Sequence, residues 1–239
     1  MSVFHISKGH NLKLKGKPSR KIIDTKDSGY CSVHPVQYKG MKPKLLIKEG
    51  DNVQLGQPLF FDKTKESVKV VSPLSGIVEK IVFGDRRVVK KILIKKTDSP
   101  SKELVKNSME DINCEKVKQF LLDTGMWTFL KQRPFSKVPD PKCKPRAIFV
   151  SMIETAPFSL DLEFALSDHK QDIINGLNML KSLTDGFVYL SMKKGSTFFE
   201  ESDLEDIKVN YFSGPHPMGN IGVQIHHIAP ISGRDDIVW

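Results

Sequence analysis

A chain of 239 residues, 39% of them hydrophobic, can hold one large or two small domains, each with its own buried core. No run of about 18 apolar residues occurs, which excludes a membrane-spanning helix. Three scattered cysteines (Cys31, Cys114, Cys143) without a CxxC pair exclude a Cys-only zinc or iron–sulfur site and an internal disulfide framework.

The net charge of +9 is unevenly spread. Residues 1–100 hold 21 Lys and Arg against 9 Asp and Glu, and the remainder holds 16 against 19. The basic field belongs to the first segment, where anionic lipid, an acidic partner or plain solvent can meet it. Nucleic acid fits less well, because the aromatics do not interleave with the lysines as a stacking platform requires. The opening MSVFHISKGHNLKLKGK has neither the apolar run nor the cleavage site of a signal peptide, so a reducing cytoplasm is expected.

Residues 1–43 read as short strands and turns: a strand at VFHIS, a basic turn-rich LKLKGKPSRK, and a turn at YKGMKP. From 44 to 97 short runs of Val, Ile, Leu and Phe alternate with turn residues, a pattern of short strands. Gly50-Asp51, Gly56-Gln57, residues 73–76 and Gly84-Asp85 mark the corners. KEGDNVQLGQPL and VFGDRRVVKKIL share a Gly-Asp turn, a Val and an apolar run, and two such halves hooked together make a flattened barrel. That pattern resembles the biotinyl/lipoyl barrel-sandwich hybrid. Counting back from the turn at 73–76 places Lys65 at the modified-lysine position of such a domain. The residue before it is Thr64 rather than Asp, the Asp62-Lys63 pair is displaced, and no Met-Lys-Met is present, so an unmodified lysine is expected.

Residues 97–104, TDSPSKEL, read as a linker. INCEKVKQFLLDTG then has helical spacing, with Val117, Phe120 and Leu121 on one face and Gly125 as its cap, and WTFLKQ adds a helical turn. RPFSKVPDPKCKP, with four prolines, is an extended loop. Strands at 147–152, GFVYLSMKK and IKVNYFSG alternate with a helical stretch at 160–183, with room for a break, and a short helix after PHPMGNIG. This alternation predicts a Rossmann-like parallel sheet, without the GxGxxG nucleotide fingerprint. The expected domains are 1–43, 44–97 and 98–239.

Candidate chemistry lies in two loops. Trp127, Phe129 and Phe135 supply flat apolar faces, and Lys131, Arg133 and Lys137 supply cationic donors, with Ser136 between them. The mixture suits an aromatic ligand with carbonyl oxygens, such as a quinone, and suits a subunit interface equally. His216 in SGPHPMGNIG sits after a strand and before a helix, where α/β sheets bind ligands. It can donate to a carbonyl, the amides at the helix start can hold an anion, and a structural role in a rigid turn stays open. His226 and His227 in a last helical turn complement the helix dipole. Glu200-Glu201 and Asp235-Asp236 read as solvated carboxylates.

GMWTFLKQRPFSKVP, FSGPHPMGNIG, YKGMKP and SPLSGIVEKIVFGDRRVVKKILIKK together resemble the A subunit of the sodium-translocating NADH:quinone reductases, from ISKGHNL to Trp239. The resemblance implies a peripheral subunit on the cytoplasmic face of the inner membrane, in a complex that passes electrons from NADH to ubiquinone and pumps Na⁺. It implies partner subunits that carry the redox centres, no redox cofactor on this chain, and an association with quinone, for which the two loops offer Trp127, Arg133, Phe135, Ser136, Lys137 and His216 as contacts. That family member is about twice this length, so its later β-grasp and C-terminal domains lie outside the present sequence. More distant cousins are the flavin subunit of respiratory complex I and the C subunit of Rnf-type complexes. Their glycine-rich flavin loop corresponds to GMWTFLKQRPFSK here, and their acidic E-x-E-P to Glu154-Thr155-Ala156-Pro157, so the flavin site reads as dismantled. A lipoyl-like carrier or flavin-binding electron-transfer protein, and a pure scaffold subunit, are the alternatives.

Overall fold

The computed structural model describes residues 2–16, 18–97, 112–233 and 235–239. All but Thr97 of the linker expected at 97–104 lies outside them. Two compact units are present: Thr25–Cys143, and Met1–Asp24 together with Lys144–Trp239. In chain order the strands are β1 (Ser2–His5), β2 (Tyr30–Val33), β3 (Pro43–Leu45), β4 (Asn52–Val53), β5 (Pro58–Asp62), β6 (Lys65–Val71), β7 (Gly76–Phe83), β8 (Val89–Lys96), β9 (Ala147–Ser151), β10 (Phe187–Lys193) and β11 (Ile207–Ser213). The helices are α1 (Cys114–Asp123), α2 (Leu162–Ala165), α3 (Lys170–Lys181) and α4 (Ile221–Ile228).

The first unit is the barrel-sandwich half. Its antiparallel sheets run in the orders β2-β8-β7-β4 and β3-β5-β6. Alternating residues point Val53, Phe60, Val78, Ile92 and Ile94 into one shared core. A bulge between Val78 and Lys80 leaves both Glu79 and Lys80 exposed, and the Ile81 amide just beyond it donates to the Glu49 carboxylate at 2.8 Å.

The two Gly-Asp corners differ. Gly50 takes a positive φ of 87°, and the Lys48 amide donates to the Asp51 carboxylate at 2.9 Å. Gly84 stays at −103°, and the positive φ values fall on Arg86 and Arg87. The lysine register also differs from the count. β5 and β6 are joined by Lys63 and Thr64, so Lys63 stands at the hairpin tip and Lys65 is a strand residue opposite Asp62. The buried Asp62 carboxylate fixes that tip by accepting from the amides of Lys42 and Thr64 and from the Thr64 hydroxyl.

The second unit carries a parallel sheet in the order β1-β11-β10-β9. A further parallel bridge joins Ala147 to Val238. Parallel strands are covered on both faces, which is why Val188, Leu190, Ser191 and Met192 are all buried along one strand. The helical stretch breaks at Leu166, between α2 and a 3-10 turn that leads into α3. Between β10 and β11 the chain makes only a 3-10 turn, Glu201–Leu204, where a regular βαβ alternation would place an α-helix.

The units are set by packing and not by sequence order. β1 is a sheet edge, with Ser2 opposite Asn210, because a parallel partner is chosen by burial and not by nearness in sequence. α1 packs against β6, so residues 112–143 join the barrel half. Asp236 is not solvated either. Its side chain is 12% exposed and accepts from Arg146 Nε at 2.6 Å and from the Ser232 amide at 2.9 Å. The Arg146 guanidinium, helped by that amide, holds its carboxyl below the ordinary range.

Candidate functional site

The loop after α1 is assembled from below. Asn113 caps the helix by accepting from the Lys116 amide at 3.0 Å. Gly125 ends it in the left-handed region at φ 74°, where a Cβ would press on Val71 at 2.9 Å. The 3-10 turn Met126–Phe129 then drives Trp127 inward, to 1% exposure. Its indole N–H donates to the Pro139 carbonyl at 3.1 Å, so the ring ties the start of the loop to its end. Thr128 donates to the Gly125 carbonyl, and Lys131 Nζ to the Thr128 carbonyl at 3.0 Å. Burial holds the Lys131 ammonium below the usual lysine range.

Above this base the loop closes on itself. Gln132 and Lys137 form an antiparallel bridge, with the Gln132 amide donating to the Lys137 carbonyl at 2.8 Å. The four residues between them make a tip: Arg133 donates to the Ser136 hydroxyl, Ser136 has φ 53°, and Phe135 is 76% exposed. The next residue, Val138, donates its amide to the Lys39 carbonyl at 2.9 Å. The YKGMKP turn and the aromatic loop, nearly a hundred residues apart, are therefore neighbours. Sequence reasoning singled out both without joining them. Burial raises the Tyr38 hydroxyl's pKa, with Cys31 adding to the effect, and the ring lies edge-on to Phe60 with centroids 5.9 Å apart.

Of the expected quinone residues, Arg133, Phe135 and Ser136 share this tip, and Lys137 closes it in the bridge to Gln132. Trp127 lies beneath as a prop and offers no face to a ligand. His216 belongs to the other unit.

There the GPHPMG loop follows β11. The His216 amide donates to the Asn11 side chain at 2.8 Å, its carbonyl accepts from the His10 amide at 2.8 Å, and its Nδ1 lies 3.0 Å from Thr155 Oγ1. The same hydroxyl accepts the Gly219 amide at 3.0 Å. A hydroxyl has one proton and two acceptor sites, so it can serve His216 Nδ1 as donor or as acceptor, and Nε2 is the ring nitrogen left over. ISKGHN, ETAP and GPHPMG thus meet at one end of the sheet. α4 begins with its own cap, the Asn220 side chain accepting from the Gly222 amide at 2.8 Å, so its first turn is not an open anion site.

A cleft of about 490 Å³ opens beyond the ends of β9 and β10. Glu154, Asp161 and Glu163 line it together with Lys193 and Lys194. Among the described residues no cluster of His, Cys, Asp and Glu fits a metal ion, and no helix is long and apolar enough to cross a membrane.

Comparison with known families adds two matches. The NqrA N-terminal barrel-sandwich hybrid domain matches residues 4–97, and the NqrA second alpha/beta domain matches residues 112–239. The chain belongs to the NqrA family. The proteins named as the A subunit of Na(+)-translocating NADH-quinone reductase from Yersinia pseudotuberculosis serotype O:1b (strain IP 31758), Yersinia pestis and Haemophilus influenzae (strain PittGG) are each 35% identical to it over 237 residues. The alignment covers 98% of this chain and 53% of each relative, so the chain spans about half the length of these NqrA proteins. The second NqrA match begins at residue 112, so α1 and the aromatic loop belong by sequence to one domain and by packing to the other.

Proposed function

We propose that this chain serves as a peripheral subunit of a sodium-translocating NADH:quinone reductase, on the cytoplasmic face of the inner membrane. In this reading it carries no redox cofactor of its own and assembles with the subunits that do. Its tip at residues 132–137 contacts the quinone head group. Phe135 stacks on the ring, and Arg133, Ser136 and Lys137 donate to a carbonyl oxygen that gains charge on reduction. Trp127 holds the loop in place from below. His216 offers Nε2–H as a separate donor on the α/β unit.

The observation that carries the reading is the gathering of one exposed ring and three donors on a short tip whose flanks are fixed by a bridge and a buried indole. A flavin fits the α/β unit poorly. Its phosphate would meet three carboxylates in the cleft beyond β9 and β10, which offset the two lysines there. One observation favours the scaffold alternative: Phe135, Phe129 and Met126 are all exposed, as side chains awaiting a partner subunit would be.

Photo-crosslinking with a quinone analogue in the assembled complex tests the proposal. Adducts at residues 132–137 that free quinone competes away are expected. Adducts confined to other subunits would assign the tip to assembly.

A further inference from the structure

The hairpin between β7 and β8 ends in a tip that neither the barrel core nor the quinone loop uses. The Gly84 amide donates to the Val88 carbonyl at 2.7 Å, and the Val88 amide to the Asp85 carbonyl at 3.1 Å. The central residues, Arg86 and Arg87, have φ 54° and 58°. Positive φ at both positions is the mark of a type I′ turn, which favours Asn-Gly because L side chains are strained there. Two arginines occupy the place where Asn-Gly would serve the turn better, so the fold alone does not account for them.

Their surroundings point to a use. Phe83 and Val88 flank the turn, 52% and 56% exposed. Lys80 and Lys90 are exposed as well, and Asp85 is the one carboxylate in the turn itself. Among the described residues, Arg86, Arg87, Lys80 and Lys90 form no ion pair with any carboxylate of the chain. An aromatic and a β-branched side chain set among unpaired cations is the composition of a headgroup-level anchor. An acidic protein surface would satisfy the cations and leave Phe83 and Val88 in water. A layer of anionic headgroups above an acyl region accommodates both.

We propose that the tip at residues 83–90 docks on anionic phospholipid, with Arg86, Arg87 and Lys90 against headgroup phosphates and with Phe83 and Val88 at the acyl boundary. The biological setting rests on the reading of this chain as a peripheral subunit, but the contact itself needs neither quinone nor the assembled complex.

The test uses the whole chain and sedimentation with vesicles of phosphatidylcholine alone or mixed with phosphatidylglycerol. Binding to the mixed vesicles only, weakened by salt, is expected. Replacing Arg86→Asn together with Arg87→Gly removes two charges while installing the preferred turn pair, so folding is protected. The double variant should bind about twenty-five-fold more weakly, at about five-fold per cation, with an unchanged or higher melting temperature. Phe83→Ser with Val88→Ser should abolish the binding that survives at high salt. Equal binding by the Asn-Gly variant, or no preference for anionic vesicles, would overturn the proposal. So would binding to immobilised polyglutamate in the absence of vesicle binding, which would assign the tip to an acidic protein. None of these outcomes bears on the quinone reading, which is measured as KM on variants of the other loop.

Discussion

The two candidate loops are built on opposite plans. The loop of the barrel unit is locked at its base and open at its top: Trp127 is 1% exposed beneath a Phe135 that is 76% exposed. In the α/β unit the His216 loop is tied at nearly every polar group, with the His216 amide, carbonyl and Nδ1 all engaged and one ring nitrogen left over. The difference separates positioning from presenting. An indole that spends its one donor on the Pro139 carbonyl cannot greet a ligand, whereas an exposed ring beside a guanidinium is placed to do so.

The sharpest way to break that contrast is at its base. Trp127→Ala should cost about 3–5 kcal/mol, because it empties a buried site and strips the Pro139 carbonyl of its donor. A drop of roughly 10 °C in melting temperature is expected for a chain of this size. Trp127→Phe restores most of the volume and should recover most of that drop. Should Trp127→Ala melt like the parent, the loop is not braced by this ring.

At the top the effect should move from stability to kinetics. Phe135→Ala and Arg133→Ala should each raise the quinone KM of the assembled complex by about 5- to 100-fold, the worth of roughly 1–3 kcal/mol for a lost stacking ring or charged hydrogen bond. Melting temperatures should barely change. Early melting with normal quinone kinetics in the folded fraction would make the tip a packing element and end the quinone assignment.

Much of this contrast was invisible in the chain. Alternation and turn residues made the strands of both units legible, as did the helix ending at Gly125, since those signals are local. Trp127 and Phe135 look alike in sequence, and only the 3-10 turn after Gly125 sends one inward. β1 beside β11, and Arg146 on Asp236, join residues some 208 and 90 positions apart, and no window of periodicity spans such distances. The Lys65 count failed for a smaller reason: Asp62 draws the turn tight around Lys63 and Thr64, moving the hairpin tip two residues earlier.

The α/β unit's lock has an electrostatic part that pH can probe. Asp236 has a carboxyl held below its ordinary value of 3.8, chiefly by Arg146. A depressed folded pKa contributes stability above the unfolded value and loses it as pH falls through the folded one. Asp236→Asn should therefore destabilise the unit at neutral pH by about 1–2 kcal/mol, toward the low end because Arg146 is half exposed. Denaturant titrations of parent and variant should converge as pH drops below 3.8. Parallel curves down through that range would mean the pair is screened and that the packing of Val238 carries the contact instead.

The smallest effect is expected where the polar ties are most numerous. Thr155 Oγ1 accepts from Gly219 and shares a hydrogen bond with His216 Nδ1, so Thr155→Val removes two hydrogen bonds while keeping the side-chain shape. Other ties remain on the His216 main chain, and the loss should stay near 0.5–1.5 kcal/mol. Its informative consequence is tautomeric. Without the hydroxyl nothing biases one ring nitrogen over the other, so nitrogen NMR of the His216 ring should report a different tautomer balance from the parent. If the ring's Nε2 donates to the quinone, His216→Ala should raise KM by about 2- to 10-fold, the worth of one neutral hydrogen bond, and Thr155→Val by less. An unchanged KM in both variants, alongside the expected tautomer shift, would remove His216 from the proposed quinone contacts and leave it as the fastener of the sheet's end.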